Sequence, residues 1–276
     1  MRLIVGEFYK GQGLGNQLYT YASVRGLAKM CGVGFAFAAP HLFKGHDLFD
    51  LDFGETTFDY PSLKLYERRL VDPCCGHDVG ATDADLVAQL RAAEDSIKVE
   101  GLLAAKGYWP GGRDFLRDVL PLRASVLRVR QVHGRGTIVH VRGGDFLGSN
   151  SKLDAGYYHA ALDRLAVNLG EVNVLTDDPD HARRLLGPDI RILSDQSDSR
   201  HEMTASHHQG GSFVHDFVVF LHARQIVLSN SSFAFWAAAL NLAGARVIAP
   251  RYWAARGCAT QHWSPGDLQL AGFEYV

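Results

Sequence analysis

The feature that most restricts the fold is an alternation in the second half of the chain, where short apolar runs ending in polar turns are separated by stretches of helical character. The first run, Thr137-Ile138-Val139-His140-Val141, is β-branched and stops abruptly at Arg142-Gly143-Gly144-Asp145. It reads as a buried strand that ends in a working loop. Val172 to Leu175, Ile190 to Leu193, Gln225 to Leu228 and Arg246 to Pro250 read as further strands. Helices are expected from about Ala155 to Leu169, after Asp178-Pro179, from about Phe213 to Arg224 and from Phe233 to Leu242. Asp178 before Pro179 is the preferred order of N-cap and first helical residue. Repeated β-α units imply a parallel sheet covered by helices on both faces.

In sheets of that kind ligands bind just beyond the carboxyl ends of the strands. A guanidinium delivered there by a rigid strand suits a phosphate better than a core. Arg142 after one strand and Asn230-Ser231-Ser232 after another are both expected at that edge. Hydroxyls and N–H groups at a helix start beside an arginine make a diphosphate pocket. Plain helix capping is the alternative for Ser231 and Ser232. The polar stretch from Ser194 to Gly211 is longer than an idle loop in a compact domain usually is.

The first half begins in the same way. Arg2 to Gly6 reads as a strand, Gly11-Gln12-Gly13-Leu14-Gly15-Asn16-Gln17 as a glycine turn, and Gln17 to about Met30 as an amphipathic helix carrying Leu18, Tyr21, Ala22, Leu27 and Ala28. Free N–H groups at the start of that helix could face an anion or a sugar. The glycines lack the third position of a dinucleotide fingerprint and the GK[ST] ending of a phosphate loop, so NAD and ATP are poor candidates. They also fit a turn that merely lets strand and helix pack closely. Val33 to Ala38 and Ile97 to Leu103 read as strands, Thr82 to Ala93 as a helix capped by Thr82 or Asp83, and Pro40 to about Leu70 resists assignment. Tyr108 and Trp109 could offer a stacking face to a sugar ring or serve as core anchors. A helical pattern from Asp114 to Arg130 breaks at Pro121, and Gly134-Arg135-Gly136 marks the expected boundary between domains 1–133 and 134–276.

Composition narrows the function classes. With 276 residues, 47% of them hydrophobic, the chain can bury a full core and is long enough for two domains. Lys and Arg number 28 against 30 Asp and Glu, which provides no basic field for nucleic acid or anionic lipid. Any anionic ligand must then be held by a local site. The four cysteines form no CxxC pair, and Cys74 and Cys75 are adjacent, which suits a reducing, cytoplasmic setting, at most peripheral to the inner membrane. The apolar run at the amino terminus is too short for a signal peptide, and no stretch approaches the roughly 20 apolar residues of a membrane span. Thirteen histidines show no metal-ligand spacing, so no metal is expected.

These residues also carry a resemblance. His140-Val141-Arg142-Gly143-Gly144-Asp145-Phe146 is similar to the HxRRGDY motif of the α-1,2-fucosyltransferase family, and Ser229-Asn230-Ser231-Ser232-Phe233-Ala234-Phe235-Trp236 to its SNSSFSWW motif. Gly11 to Gln17 resembles its GGLGNQ segment, Gly107-Tyr108-Trp109 its GYWQS segment, and Thr176-Asp177-Asp178 stands where it carries SDD. Thr176 to Pro179 and Ser194-Asp195 also resemble the TDDP and SD of related α-1,6-fucosyltransferases. The resemblance implies a GT-B-like α/β architecture of two Rossmann-like domains with parallel sheets. GDP-fucose would be the donor, a glycan would be the acceptor on the amino-terminal domain, and transfer would be inverting with no metal or other cofactor. By residue match, Arg142 would hold the β-phosphate, with Ser231 or Ser232 assisting. His140 and Asp216 would sit near the guanosine, Asp145, Asn230, Gly13 and Gly15 would complete the nucleotide-sugar contacts, and Asn16 would lie over the reacting sugar. Three positions depart from the pattern: Gly143 replaces the second arginine, Phe146 the tyrosine, and Pro110-Gly111 the Gln-Ser pair. Loss of a charged hydrogen bond is worth about 1.5–3 kcal/mol. The departures leave room for another nucleotide sugar, or for a nucleotide- or glycan-binding protein without catalysis.

Overall fold

The computed structural model describes residues 1–67, 69–71, 78–81, 83–129, 136–143, 153–194, 213–251, 253–255, 262–263 and 269–276. The chain divides into two compact units: Met1–Ala124 with Trp263–Leu270, and Ser125–His262 with Ala271–Val276. The boundary expected between 133 and 134 falls among residues outside the described ones.

In the first unit, β1 (Leu3–Glu7) leads through a glycine turn into α1 (Leu14–Cys31), and β2 (Gly34–Ala38) follows. The region that resisted assignment contains a single 3-10 turn (Pro40–Leu42), β3 (Lys64–Tyr66) and β4 (Arg69–Val71). Next come β5 (Asp78–Ala81), α2 (Asp83–Ala92), β6 (Ile97–Glu100), a 3-10 turn (Lys106–Tyr108) and α3 (Gly112–Val119). Four strands form a parallel sheet in the order β2-β1-β6-β3, and β4 pairs with β5 as an antiparallel ribbon. Asp83, a candidate cap, is the first residue of α2.

The amphipathic reading of α1 needs correction, because Leu14 to Ala28 is buried on nearly every side. Its buried Ser23 and Gln17 are satisfied internally, as burial requires. Ser23 Oγ donates to Leu103 O (2.7 Å) and accepts from Trp109 Nε1 (3.0 Å). Gln17 Nε2 donates to Leu42 O and Gln17 Oε1 accepts from Lys44 N, both at 2.8 Å. Tyr108 and Trp109 are buried, and Trp109 stacks on Tyr19 at 6.2 Å between ring centroids. They are core anchors, and the sugar-stacking alternative fails for them.

The second unit is the expected alternation. After α4 (Ala124–Leu127) come β7 (Thr137–Val141), α5 (Ala155–Leu165), a 3-10 turn (Leu169–Glu171), β8 (Val172–Thr176), α6 (Pro179–Leu186) and β9 (Arg191–Ile192). Then α7 (Phe213–His222), β10 (Gln225–Val227), α8 (Ser232–Ala239) and β11 (Arg246–Ala249) follow. A small ribbon, β12 (Ala254–Ala255) with β13 (His262–Trp263), precedes β14 (Phe273–Tyr275), a strand absent from the sequence reading. Helix α5 stops four residues earlier than expected, with Ala166 left-handed at its C-cap.

Six parallel strands run in the order β14-β11-β10-β7-β8-β9. Numbered from β7 within this unit, that is the 3-2-1-4-5-6 order of a dinucleotide-type fold, read from the β9 edge. Val139 and Val141 of β7 pack with Tyr158, Leu162, Leu165, Ala182 and Leu186 of α5 and α6 in one core cluster. Complete burial of such side chains contributes about 1.5–3 kcal/mol each. His140 alternates to the opposite face, where its ring lies 5.7 Å from Phe220 of α7. No described helix is long and apolar enough to cross a membrane.

Candidate active site

In the 3-2-1-4-5-6 order the chain reverses its direction of winding between β7 and β10, and the crevice above that point is where open α/β sheets bind ligands. Arg142 leaves β7 there, and Ser229-Asn230-Ser231 leaves β10 beside it. The β7–β10 register pairs Val139 with Val227, which brings His140 and Ser229 within reach of each other. His140 Nδ1 and Ser229 Oγ share a hydrogen bond of 2.5 Å in a buried setting. That bond ties the two turns together.

His140 is 7% exposed. Burial, reinforced by the Arg142 charge, pulls its pKa from 6.5 down to about 3. A neutral imidazole can exchange hydrogen bonds with a ligand but contributes no charge against phosphate. The positive character of the site therefore comes from Arg142 and from the N-terminus of α8.

The β7–β8 register pairs Val141 with Thr176 and so sets Arg142 beside Asp177. Asp177 Oδ2 pairs with Arg142 Nη1 at 2.5 Å, while Asp177 Oδ1 accepts from Gly143 N at 2.7 Å. One carboxylate thus fixes both the guanidinium and the turn that follows it. Asp178 caps α6 as expected, accepting from His181 N at 2.8 Å. It also explains Gly143: a Cβ at that position would stand 2.4 Å from Asp178 Cβ. The turn is closed to any side chain, including the second arginine of the motif.

Asn230 Nδ2 donates to Trp253 O at 2.5 Å, which holds the turn after β10. Ser231 occupies the N-cap of α8 but makes no side-chain capping bond, so capping does not account for it. Ser232 begins the helix and is partly exposed. Asp216, in the first turn of α7 and four residues before Phe220, accepts from Ser194 Oγ at 3.0 Å. Ser194 Oγ accepts in turn from Thr176 N at 3.1 Å, linking α7 to the end of β8. Burial raises the Asp216 carboxyl pKa, against the lowering effect of His215 and Ser194.

The second unit therefore brings together His140, Arg142, Asn230, Ser231 and Ser232, with Asp216 connected through Ser194. Asp145 lies outside the described residues. In the first unit Gly13 is the exposed N-cap of α1, Gly15 is buried in its first turn, and Asn16 is partly buried, with its carbonyl accepting from Thr20 Oγ1 at 3.3 Å. Asp177, Ser229 and Ser194 were missed as site residues in the sequence. The signal for Asp177 was its place in the Thr176-Asp177-Asp178 segment, and the register that pairs Val141 with Thr176 sets it next to Arg142. Among the described residues no group of three or more His, Cys, Asp or Glu side chains is arranged to hold a metal ion.

Two parallel α/β units, one with an arginine and a helix N-terminus at its switch point, make up an architecture of the GT-B type. The model of glycosyl transferase family 11 matches residues 112–263, and the chain belongs to that family. It is the fucosyltransferase family whose motifs the sequence resembles, and the chain is accordingly an enzyme. Among solved structures, Arabidopsis thaliana FUT1, a mutant in complex with GDP, aligns with a TM-score of 0.51 at 13% identity, covering 92% of this chain and 71% of that one. Fucosyltransferase NodZ from Bradyrhizobium aligns with a TM-score of 0.49 at 16% identity, covering 86% and 91%. No curated protein matches the chain.

Proposed function

We propose that this enzyme moves fucose from GDP-fucose to a hydroxyl of a glycan acceptor, a galactoside linked α-1,2, with inversion at the anomeric carbon and without a metal ion. The observation that carries the reading is the Arg142 guanidinium, fixed by Asp177 at the switch point beside the N-terminus of α8. The acceptor oxygen attacks the anomeric carbon, the bond from that carbon to the β-phosphate oxygen breaks, and the acceptor proton is released as GDP departs. The main electrostatic demand is the charge growing on the diphosphate, which preoriented donors meet without reorganising. Arg142 binds the β-phosphate, Ser231 or Ser232 assists, Asn230 braces the turn, and neutral His140 with Asp216 borders the guanosine. The GDP in the Arabidopsis thaliana FUT1 structure supports the choice of nucleotide. Asp145, Gly13, Gly15 and the catalytic role of Asn16 rest on the resemblance alone.

Glu7 is a poor general base. Burial by itself would raise its carboxyl pKa, but hydrogen bonds from Lys98 and Tyr60 outweigh that and lower it. Calorimetric titration tests the donor: GDP binds, and UDP and dTDP do not. Replacing Arg142 by Lys should cut turnover by about ten- to a hundredfold, because a point charge cannot reproduce the guanidinium fork. Wild-type GDP release by that variant would overturn the assignment. A second reading, a related transferase with another nucleotide sugar, is favoured by Gly143. It predicts that UDP or dTDP binds more tightly than GDP. Binding of GDP-fucose without release over long incubation with galactosides would point to a protein without catalysis.

A further inference from the structure

On the sheet of the first unit, opposite the face that α1 covers, three charges form a row across β1 and β6. Lys98 is 3% exposed and lies between Glu7, with which it forms a short ion pair, and Glu100, at 2.5 Å. Both carboxylates reach the surface. Tyrosines ring them. Tyr60 donates from its hydroxyl to Glu7 Oε2 at 2.8 Å, and Tyr66 hydrogen-bonds to Glu100. The rings of Tyr9 and Tyr60 lie 5.4 and 5.3 Å from Lys98 Nζ.

A row of charges that only closed a sheet face would sit beneath apolar cover. Here the cover is three aromatic rings that stay open to solvent: Tyr9 is 46%, Tyr60 48% and Tyr66 62% exposed. Among the described residues these three are the only large aromatic side chains with such exposure, and all are at this one place. Aromatic faces beside ionised carboxylates suit a ring that has both an apolar C–H face and hydroxyl donors. The cations nearby are matched by the carboxylates, which leaves no surplus for an anion.

We propose that Tyr9, Tyr60 and Tyr66 with Glu7, Lys98 and Glu100 form a binding subsite for a neutral saccharide. The tyrosine rings stack on the sugar, the two carboxylates accept from its hydroxyls, and Lys98 keeps those carboxylates ionised and aimed. The subsite deepens the fucosyl-transfer reading and rests on it for one point, that the sugar bound is the acceptor.

The test is binding to the full chain, followed by saturation-transfer NMR and calorimetry, of methyl β-galactoside, methyl β-glucoside and lactose, with galactose 6-sulfate as the charged control. At least one neutral sugar should bind, and the sulfate should bind more weakly. Tyr60→Ala and Tyr66→Ala should each weaken binding about three- to tenfold, the range for a lost aromatic contact. Tyr66 is the most exposed ring, so its truncation leaves the fold intact. Tyr60→Phe keeps the ring and should lose less than Tyr60→Ala. No binding of any neutral sugar, tighter binding of the sulfate, or wild-type affinity in both alanine variants overturns the subsite. Failure of GDP to bind while sugars bind overturns the donor reading and leaves the subsite standing.

Discussion

Arg142 and Gly143 are consecutive residues held by the same carboxylate, one through its side chain and the other through its amide. That economy leaves no volume at position 143. Gly143→Ala forces its new methyl against Asp178 Cβ and should destabilise the second unit by about 1–3 kcal/mol, measured by urea unfolding. An unchanged midpoint would show that the turn has room to relax. His140 offers a second check. Its pKa is lowered from 6.5 to about 3, so the folded ring stays neutral where the unfolded ring takes up a proton. Its contribution to stability is thus present above pH 6.5 and is lost as pH falls toward 3. In an NMR titration the His140 ring should show no inflection between pH 8 and 5, and an inflection near 6.5 would contradict its burial. At this scale the sequence was informative where chemistry and position coincide, as in Arg142 at a strand end. It placed Ser229 in a motif but left it without a role, because an ordinary serine in a turn gains meaning only from the strand register that brings it to His140.

Elements were legible where their pattern was regular. The strands β7, β8, β10 and β11 fall within a residue or two of their expected bounds, because a buried parallel strand writes an unmistakable apolar run. β14 was missed: three residues near the end of the chain provide too little pattern, and its place is set by pairing with β11. Helix α1 was found, though it starts at Leu14 and not at Gln17, but it was misjudged in kind, since its small and polar residues hid how completely it is enclosed. Gly26 is the clearest sign of that enclosure. A Cβ there would come 1.7 Å from the carbonyl oxygen of Tyr108. Gly26→Ala should therefore cost more than Gly143→Ala, at least about 3 kcal/mol, since the obstacle is backbone and not a side chain that can turn. Intrinsic helix propensity argues the other way, favouring alanine by about 1 kcal/mol. A stabilised variant in thermal unfolding would mean that α1 can shift away from the segment at Tyr108.

For the whole molecule, the α/β class and the parallel sheets followed from the β-α alternation, whereas the path of the chain between its two units did not. No local signal announces that Trp263–Leu270 belongs with Met1–Ala124. Leu270 is buried, and Gln269 O accepts from Lys106 Nζ at 3.5 Å. A fragment ending at Ala124 should accordingly be less stable to urea and to protease than the same fragment joined by a flexible linker to residues 263–270. Equal resistance of the two would show the returning segment to be dispensable. The chain passes from one unit to the other after Ala124, again after His262 and once more after Leu270. For anyone seeking to recombine specificities within the family, a single splice point cannot produce a clean chimaera. A graft that exchanges the amino-terminal half must carry the eight-residue return with it, or each half will be folded against a stranger's tail.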